Sequence, residues 1–204
     1  MNYLAIDTSG TYLTVAVGGE KKAVRFLPDC ALTHSVVLMG EIEKCLAEAG
    51  IDKKDVDVFA CAVGPGSFTG IRIGVATTKA LAYALGKKVL GVTSFDSLAY
   101  DIQDGRKKLA VINARHGNYY ACGYNASGKT ELEPCFINTP QLLGYAETYE
   151  VVCDVTDDVT ADFITADVKN GFIKAVESSL SLASSNVEAL VPLYVKKSQA
   201  EEGA

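Results

Sequence analysis

The sequence predicts an α/β protein built as two similar lobes, and three observations carry that expectation. Strand-like and helix-like segments alternate along the chain, the pattern of α/β architectures. The order three strands, helix, strand, helix occurs twice, once before and once after residue 105. The 204 residues are 49% hydrophobic and 22% charged, which is enough apolar surface to offset the entropy of ordering the backbone. Wholesale disorder is excluded.

Residues 2–7, 12–17 and 22–27 are short β-rich runs separated by Ser9-Gly10 and Gly18-Gly19, a spacing that predicts two successive hairpins. Over 34–49, Leu38, Met39, Ile42, Cys45, Leu46 and Ala49 fall within an arc of roughly 120°, with Glu41, Glu43, Lys44 and Glu48 off it. That periodicity predicts an amphipathic helix, stopped by Gly50. Residues 55–63 read as a buried strand, 70–85 as a second helix and 87–92 as a strand. A third helix follows, with Thr93 or Ser94 as its N-cap. In the second half, strands are expected at 107–114, 118–125 and 130–137, around turns at Gly117 and Gly128. A helix after Pro140, a strand at 149–154 and a helix over 168–185 complete the repeat of the pattern. The lobes are therefore expected at 1–104 and 105–204, with a cleft between them, the second smaller and divergent.

The formal net charge of −6 and a pI near 5.0 give no global attraction to phosphate backbones. The N-terminus MNYLAIDTSG has no basic region ahead of an apolar run, and no apolar stretch approaches the roughly 20 residues of a membrane span. A soluble, cytoplasmic protein is expected. The six cysteines, Cys30, Cys45, Cys61, Cys122, Cys135 and Cys153, include no C-x-x-C pair. His34 and His116 have no second histidine at helical ligand spacing, so neither a disulfide nor a metal centre is expected.

The most specific stretch runs Gly64-Pro65-Gly66-Ser67-Phe68-Thr69-Gly70-Ile71-Arg72-Ile73-Gly74, between a strand and a helix. It is not a Walker loop, since no lysine precedes Lys79, and its glycine spacing does not fit the dinucleotide fingerprint. Ser67 is flanked by Pro65 and Thr69 rather than by the glycines of a nucleophile elbow. A structural turn and a ligand loop both remain open for it. The helix that follows carries apolar side chains around nearly its whole circumference, with Arg72 and Lys79 as its only charged strip. Its cover comes either from the first helix and the second lobe or from another chain. Two such helices present a footprint of roughly 500 Å². Asp7, Thr8 and Ser9, at the first hairpin turn, are a weak candidate for holding a nucleotide's phosphates, and Asx-turn chemistry explains them equally well. No nucleophile with an evident base is found, so no catalytic residue is assigned.

At GPGSFTGIRIGVA (64–76), with IDTS (6–9), HS (34–35), NAR (113–115) and PLYVKKSQAE near the C-terminus, the chain resembles the TsaB (YeaZ) family. That resemblance implies a duplicated actin/sugar-kinase/Hsp70-like fold. It further implies a non-catalytic role in making threonylcarbamoyladenosine in tRNA. The family binds its paralogue TsaD, the transferase that carries the metal, and works with the ATPase TsaE. It uses its two N-terminal helices for that docking and for forming homodimers. The docking candidates here are Leu38, Met39, Ile42, Leu46, Val75, Ala76, Lys79, Leu81, Ala82 and Leu85. ATP or ADP is expected only at the partner interface, and tRNA contact only indirectly. The H-x-x-x-H metal pair of TsaD-like enzymes is missing, since Leu38 stands four residues after His34. The chain departs from the family at Val36, Gly40 and Asn113. The alternative is a small-molecule kinase or ATPase of the same fold, with Asp7 and Thr8 at the phosphates.

Overall fold

The computed structural model describes residues 1–102, 104–154 and 157–195. Strands β1 (Tyr3–Asp7), β2 (Leu13–Gly18) and β3 (Ala23–Leu27) form the two expected hairpins. The helix α1 (His34–Ala49) leads to β4 (Val58–Ala62), α2 (Phe68–Leu85), β5 (Lys88–Val92) and α3 (Ser94–Asp101). The second half adds β6 (Lys108–Asn113), β7 (Asn118–Tyr124), β8 (Thr130–Asn138), α4 (Thr139–Ala146), β9 (Glu150–Cys153), β10 (Ile164–Thr165) and α5 (Val168–Ser179).

The duplication is one of topology. The first sheet runs β3-β2-β1-β4-β5 and the second β8-β7-β6-β9-β10, and in each the first hairpin pairs are antiparallel and the rest parallel. This is the strand order of the actin/sugar-kinase/Hsp70-like plan. The copies differ in their helices. Between β8 and β9 the eight-residue α4 stands where the first lobe has the 16-residue α1. Among the described residues no helix lies between β9 and β10, where the first lobe has α2.

Local chemistry accounts for the helix ends. Gly50 and Gly86 take left-handed conformations at φ 62° and 64° after α1 and α2, the stop only glycine adopts at no steric cost. Thr93 and Asp96 close a reciprocal capping box on α3, and Asn138 and Gln141 do the same for α4. The last helix ends at Ser179, short of the expected 185, because the serine-rich run that follows folds into a tight turn at Leu180–Leu182. The two-residue β10 carries too short a pattern to be read from sequence.

One face of the first sheet is covered by α1 and α2, which share a core with Leu4, Ile6, Val15 and Phe59. The other face is covered by α5, through Phe172, Ala175 and Val176. The expected boundary at 104/105 thus separates the two sheets but not the two packing units. Both α5 and residues 184–194 return to the first sheet. All six cysteines are free, and five are buried; burial pushes the Cys61 thiol up to about 12.

Candidate docking face and glycine loop

Residues Asp7, Thr8 and Ser9 lie at the C-terminal end of β1, and the glycine loop between β4 and α2 is folded onto them. Ser67 donates its N–H to the Ser9 carbonyl at 2.7 Å, and Thr8 Oγ1 donates to the Gly70 carbonyl at 2.7 Å. Ser94 donates its N–H to the Gly64 carbonyl at 2.8 Å, tying α3 to the same loop. Ser67 is the N-cap of α2 and accepts from Gly70 N–H at 3.2 Å. The glycines are there for approach. A Cβ on Gly70 would stand 2.0 Å from the Thr8 carbonyl oxygen, and one on Gly66 2.3 Å from that of Ser9. Gly64 has φ 103° and forms a cis peptide with Pro65, both buried.

The Asp7 carboxylate is fully buried and is used inside the chain. It accepts from Ser9 N–H at 2.8 Å and Ser9 Oγ at 2.7 Å, with the Tyr12 hydroxyl at 3.4 Å. The cavity beside it is about 30 Å³, lined by Ser9, Tyr12, Pro65, Gly66, Ser94 and Asp154 among others. That is about the space of one water, whereas small-molecule sites run to roughly 300 Å³ or more. For the phosphate-holding expectation at Asp7, Thr8 and Ser9, the isolated chain offers little free space. The turn is plugged by the glycine loop, and its polar groups are spent on packing.

Burial raises the Asp7 pKa above its ordinary 3.8, against the opposing pull of the two Ser9 hydrogen bonds, Tyr12 and the charge of His34. The folded chain therefore holds a proton there that the unfolded chain releases. Stability contributed by this group is present below about pH 4 and is lost as pH rises to the raised folded value. Asp7→Asn removes that slope. The melting temperature of the variant relative to the parent is expected to climb from pH 4 upward and then level off. A flat difference across that range would show that the carboxylate ionises without cost.

The two N-terminal helices divide the docking candidates. Leu38, Ile42 and Leu46 of α1 and Val75 and Ala82 of α2 are buried in the chain's own core, at 8% exposure or less. They face the sheet, so they are corrected from docking residues to core residues. Met39 and Ala76 are exposed, and Lys79, Leu81 and Leu85 are half-buried. On α2 the core-facing side is Gly70, Ile71, Gly74, Val75, Thr78 and Ala82. The opposite ridge is Ala76, Ala80, Tyr83 and Ala84, all exposed, with Tyr83 at 79%. Lys79, beside that ridge, is bound to Glu188 at 2.9 Å. On α1, Val36 is 79% exposed and Leu32, just before the helix, 97%. Val36, Ala80 and Tyr83 are exposed apolar residues outside the docking candidates named from sequence. The signal for Val36 was present, because it is an apolar residue lying off the apolar arc of its own helix.

Of the glycine motif, Gly66, Ser67, Phe68, Thr69 and Arg72 are exposed. Arg72 stacks on Phe68 at 3.7 Å from the ring centre, and its Nε donates to the Tyr194 hydroxyl at 2.8 Å. In the second lobe Arg115 and His116 sit in a turn at φ 70° and 55°, and Asn113 Oδ1 accepts from Arg115 N–H at 2.7 Å.

The family model described as TsaD, tRNA N6-adenosine threonylcarbamoyltransferase, matches residues 26–202. A tRNA threonylcarbamoyladenosine biosynthesis protein TsaB from Buchnera aphidicola is 34% identical over 120 residues, 57% of this chain and 57% of that protein. The protein of the same name from Escherichia coli is 29% identical over 127 residues, 61% of this chain and 55% of that one. The chain thus spans a little over half the length of the curated relatives it matches. Two solved Pseudomonas aeruginosa structures, one titled YeaZ and one with similarity to peptidase YeaZ, share the fold across nearly the whole chain. Their TM-scores are 0.72 and 0.75 at 23% identity, covering 95% and 96% of this chain and 99% of each of theirs.

Proposed function

Because the chain belongs to the TsaD family and matches its TsaB (YeaZ) members, we propose that it is a catalytically silent subunit of the threonylcarbamoyladenosine machinery acting on tRNA. In this reading it docks a TsaD-type transferase through the outward sides of α1 and α2. The observation that carries it is the α2 ridge of Ala76, Ala80, Tyr83 and Ala84, an exposed run of small and aromatic side chains bordered by Arg72 and Lys79. Small side chains let a second helix approach closely, and the aromatic Tyr83 supplies the kind of anchor that dominates interface energetics. The plugged turn at Asp7, Thr8 and Ser9 supports the non-catalytic half of the proposal and speaks against a kinase.

The reading includes a TsaE-type ATPase that reaches this chain through the transferase, and self-association when the transferase is absent. Nucleotide belongs at the junction with the transferase and tRNA contact is indirect, as the acidic net charge favours. Reconstitution tests it. With a TsaD-type transferase, a TsaE-type ATPase, threonylcarbamoyl-adenylate and tRNA, modification is expected to depend on adding this chain. An equal yield without it overturns the proposal. Turnover of Mg-ATP by the isolated chain would favour the kinase instead.

A further inference from the structure

We infer that residues 184–194 act as a releasable clamp that splints the glycine loop and holds α2 in its docking arrangement. After α5 the chain crosses to the free edge of the first sheet. Ser184 and Val89 exchange two backbone hydrogen bonds of 2.9 Å, adding one antiparallel position beyond β5. Glu188 then pairs with Lys79 on the flank of α2 at 2.9 Å. Leu190 enters the core of the first lobe at 5% exposure, so close to β5 that a Cβ on Gly91 would lie 3.0 Å from its Cδ1.

The last two anchors fall on either side of the glycine loop. Leu193 donates its N–H to the Val63 carbonyl at 2.8 Å, immediately before Gly64. Tyr194 accepts from Arg72 Nε and lies 5.5 Å from the Phe68 ring, immediately after the loop. The segment therefore bridges residues 63 and 68–72 from outside, while Thr8 and Ser9 hold the same loop from inside.

The clamp is built to open more easily than the lobes. Glu188 is 83% exposed, so its ion pair is worth little, and Phe68 and Tyr194 are each nearly half exposed. Leu190 is its one buried large side chain, with Val187 and Leu193 only partly buried against the cores. Segments with few buried apolar contacts open locally at a fraction of the global free energy. Opening frees the Val63 carbonyl and Arg72 together, so the start of α2 loses its outer support. The consequence for docking rests on the reading proposed above, whereas the consequence for the loop does not.

The test uses the full chain carrying Tyr194→Ala and Glu188→Ala, both at exposed positions that leave the core intact. Amide exchange read by mass spectrometry at residues 64–73 is expected to quicken at least ~10-fold, while β6, β7 and β9 exchange as in the parent. Affinity for a TsaD-type transferase is expected to fall by about 10-fold, since a loosened helix must be reordered on binding. Loop exchange within twofold of the parent overturns the clamp. A loosened loop with unchanged affinity overturns its link to docking. If the parent itself shows no docking, the function proposed above fails, and the exchange data alone still decide whether the clamp exists.

Discussion

Ala76→Glu is expected to weaken association with a TsaD-type transferase by roughly 100-fold or more while leaving the fold intact. Ala76 lies on the exposed ridge of α2, beside Ala80 and Tyr83 and away from Ile71, Val75 and Ala82, which face the core. In the free chain the new carboxylate stands at an exposed position within reach of Arg72 and Lys79, so the melting temperature should move little. In a docked complex it would be an unpaired charge in a buried contact, a defect that costs about 3–5 kcal/mol. At 1.4 kcal/mol per decade that is roughly two to three decades in Kd. Titration calorimetry and size-exclusion chromatography with the transferase measure both quantities. Unchanged affinity in a folded variant would remove the α2 ridge from the interface. A control at Val75, the next residue, should do the reverse, because Val75 is buried and its replacement by glutamate would harm the fold.

Gly70→Ala is expected to be the most damaging single methyl group in the chain's signature stretch. The added Cβ would stand 2.0 Å from the Thr8 carbonyl oxygen, a backbone atom that no rotamer change can move aside. The same contact carries the hydrogen bond from Thr8 Oγ1 to the Gly70 carbonyl, so α2 cannot slide away without losing it. Overpacking of this kind costs about 1–3 kcal/mol, and a backbone collision belongs at the upper end. For a chain of this size ~3 kcal/mol corresponds to a fall of about 6–12 °C in melting temperature, measured by calorimetry or circular dichroism. Gly86→Ala is the useful contrast. Gly86 is left-handed at φ 64° but meets nothing within 4 Å, so only the conformational cost, of order 1 kcal/mol, applies. Equal losses at the two positions would mean that the glycine loop is not held by close approach.

The elements were legible because each announces itself locally. Gly50 after Ala49, Thr93 ahead of α3 and the short hairpin turns are signals carried by one or two residues, and the structure places them as read. The repeated order of elements was equally plain, and so was the burial of the strand that holds Cys61. What the sequence could not convey is which side of α2 meets the sheet. Ala76 and Ala82 are the same residue type on one helix, yet Ala82 is fully buried and Ala76 exposed. With apolar side chains nearly all round, periodicity has no contrast from which to choose a face. The plugging of the turn at Asp7 was hidden for another reason. It depends on Gly66 and Gly70 arriving against Thr8 and Ser9, a contact about sixty residues apart in the chain that no local pattern encodes.

The absence of a helix between β9 and β10 among the described residues leaves the long helix pair on one side of the molecule only. A body with a single such patch has a valency of one. Two copies meeting through it form a closed, isologous pair, and a copy that meets an unlike partner is spent in doing so. Growth into filaments or rings requires a second patch of the same kind. On the docking proposed above, the asymmetry between halves makes exchange between like and unlike partners a competition for one seat.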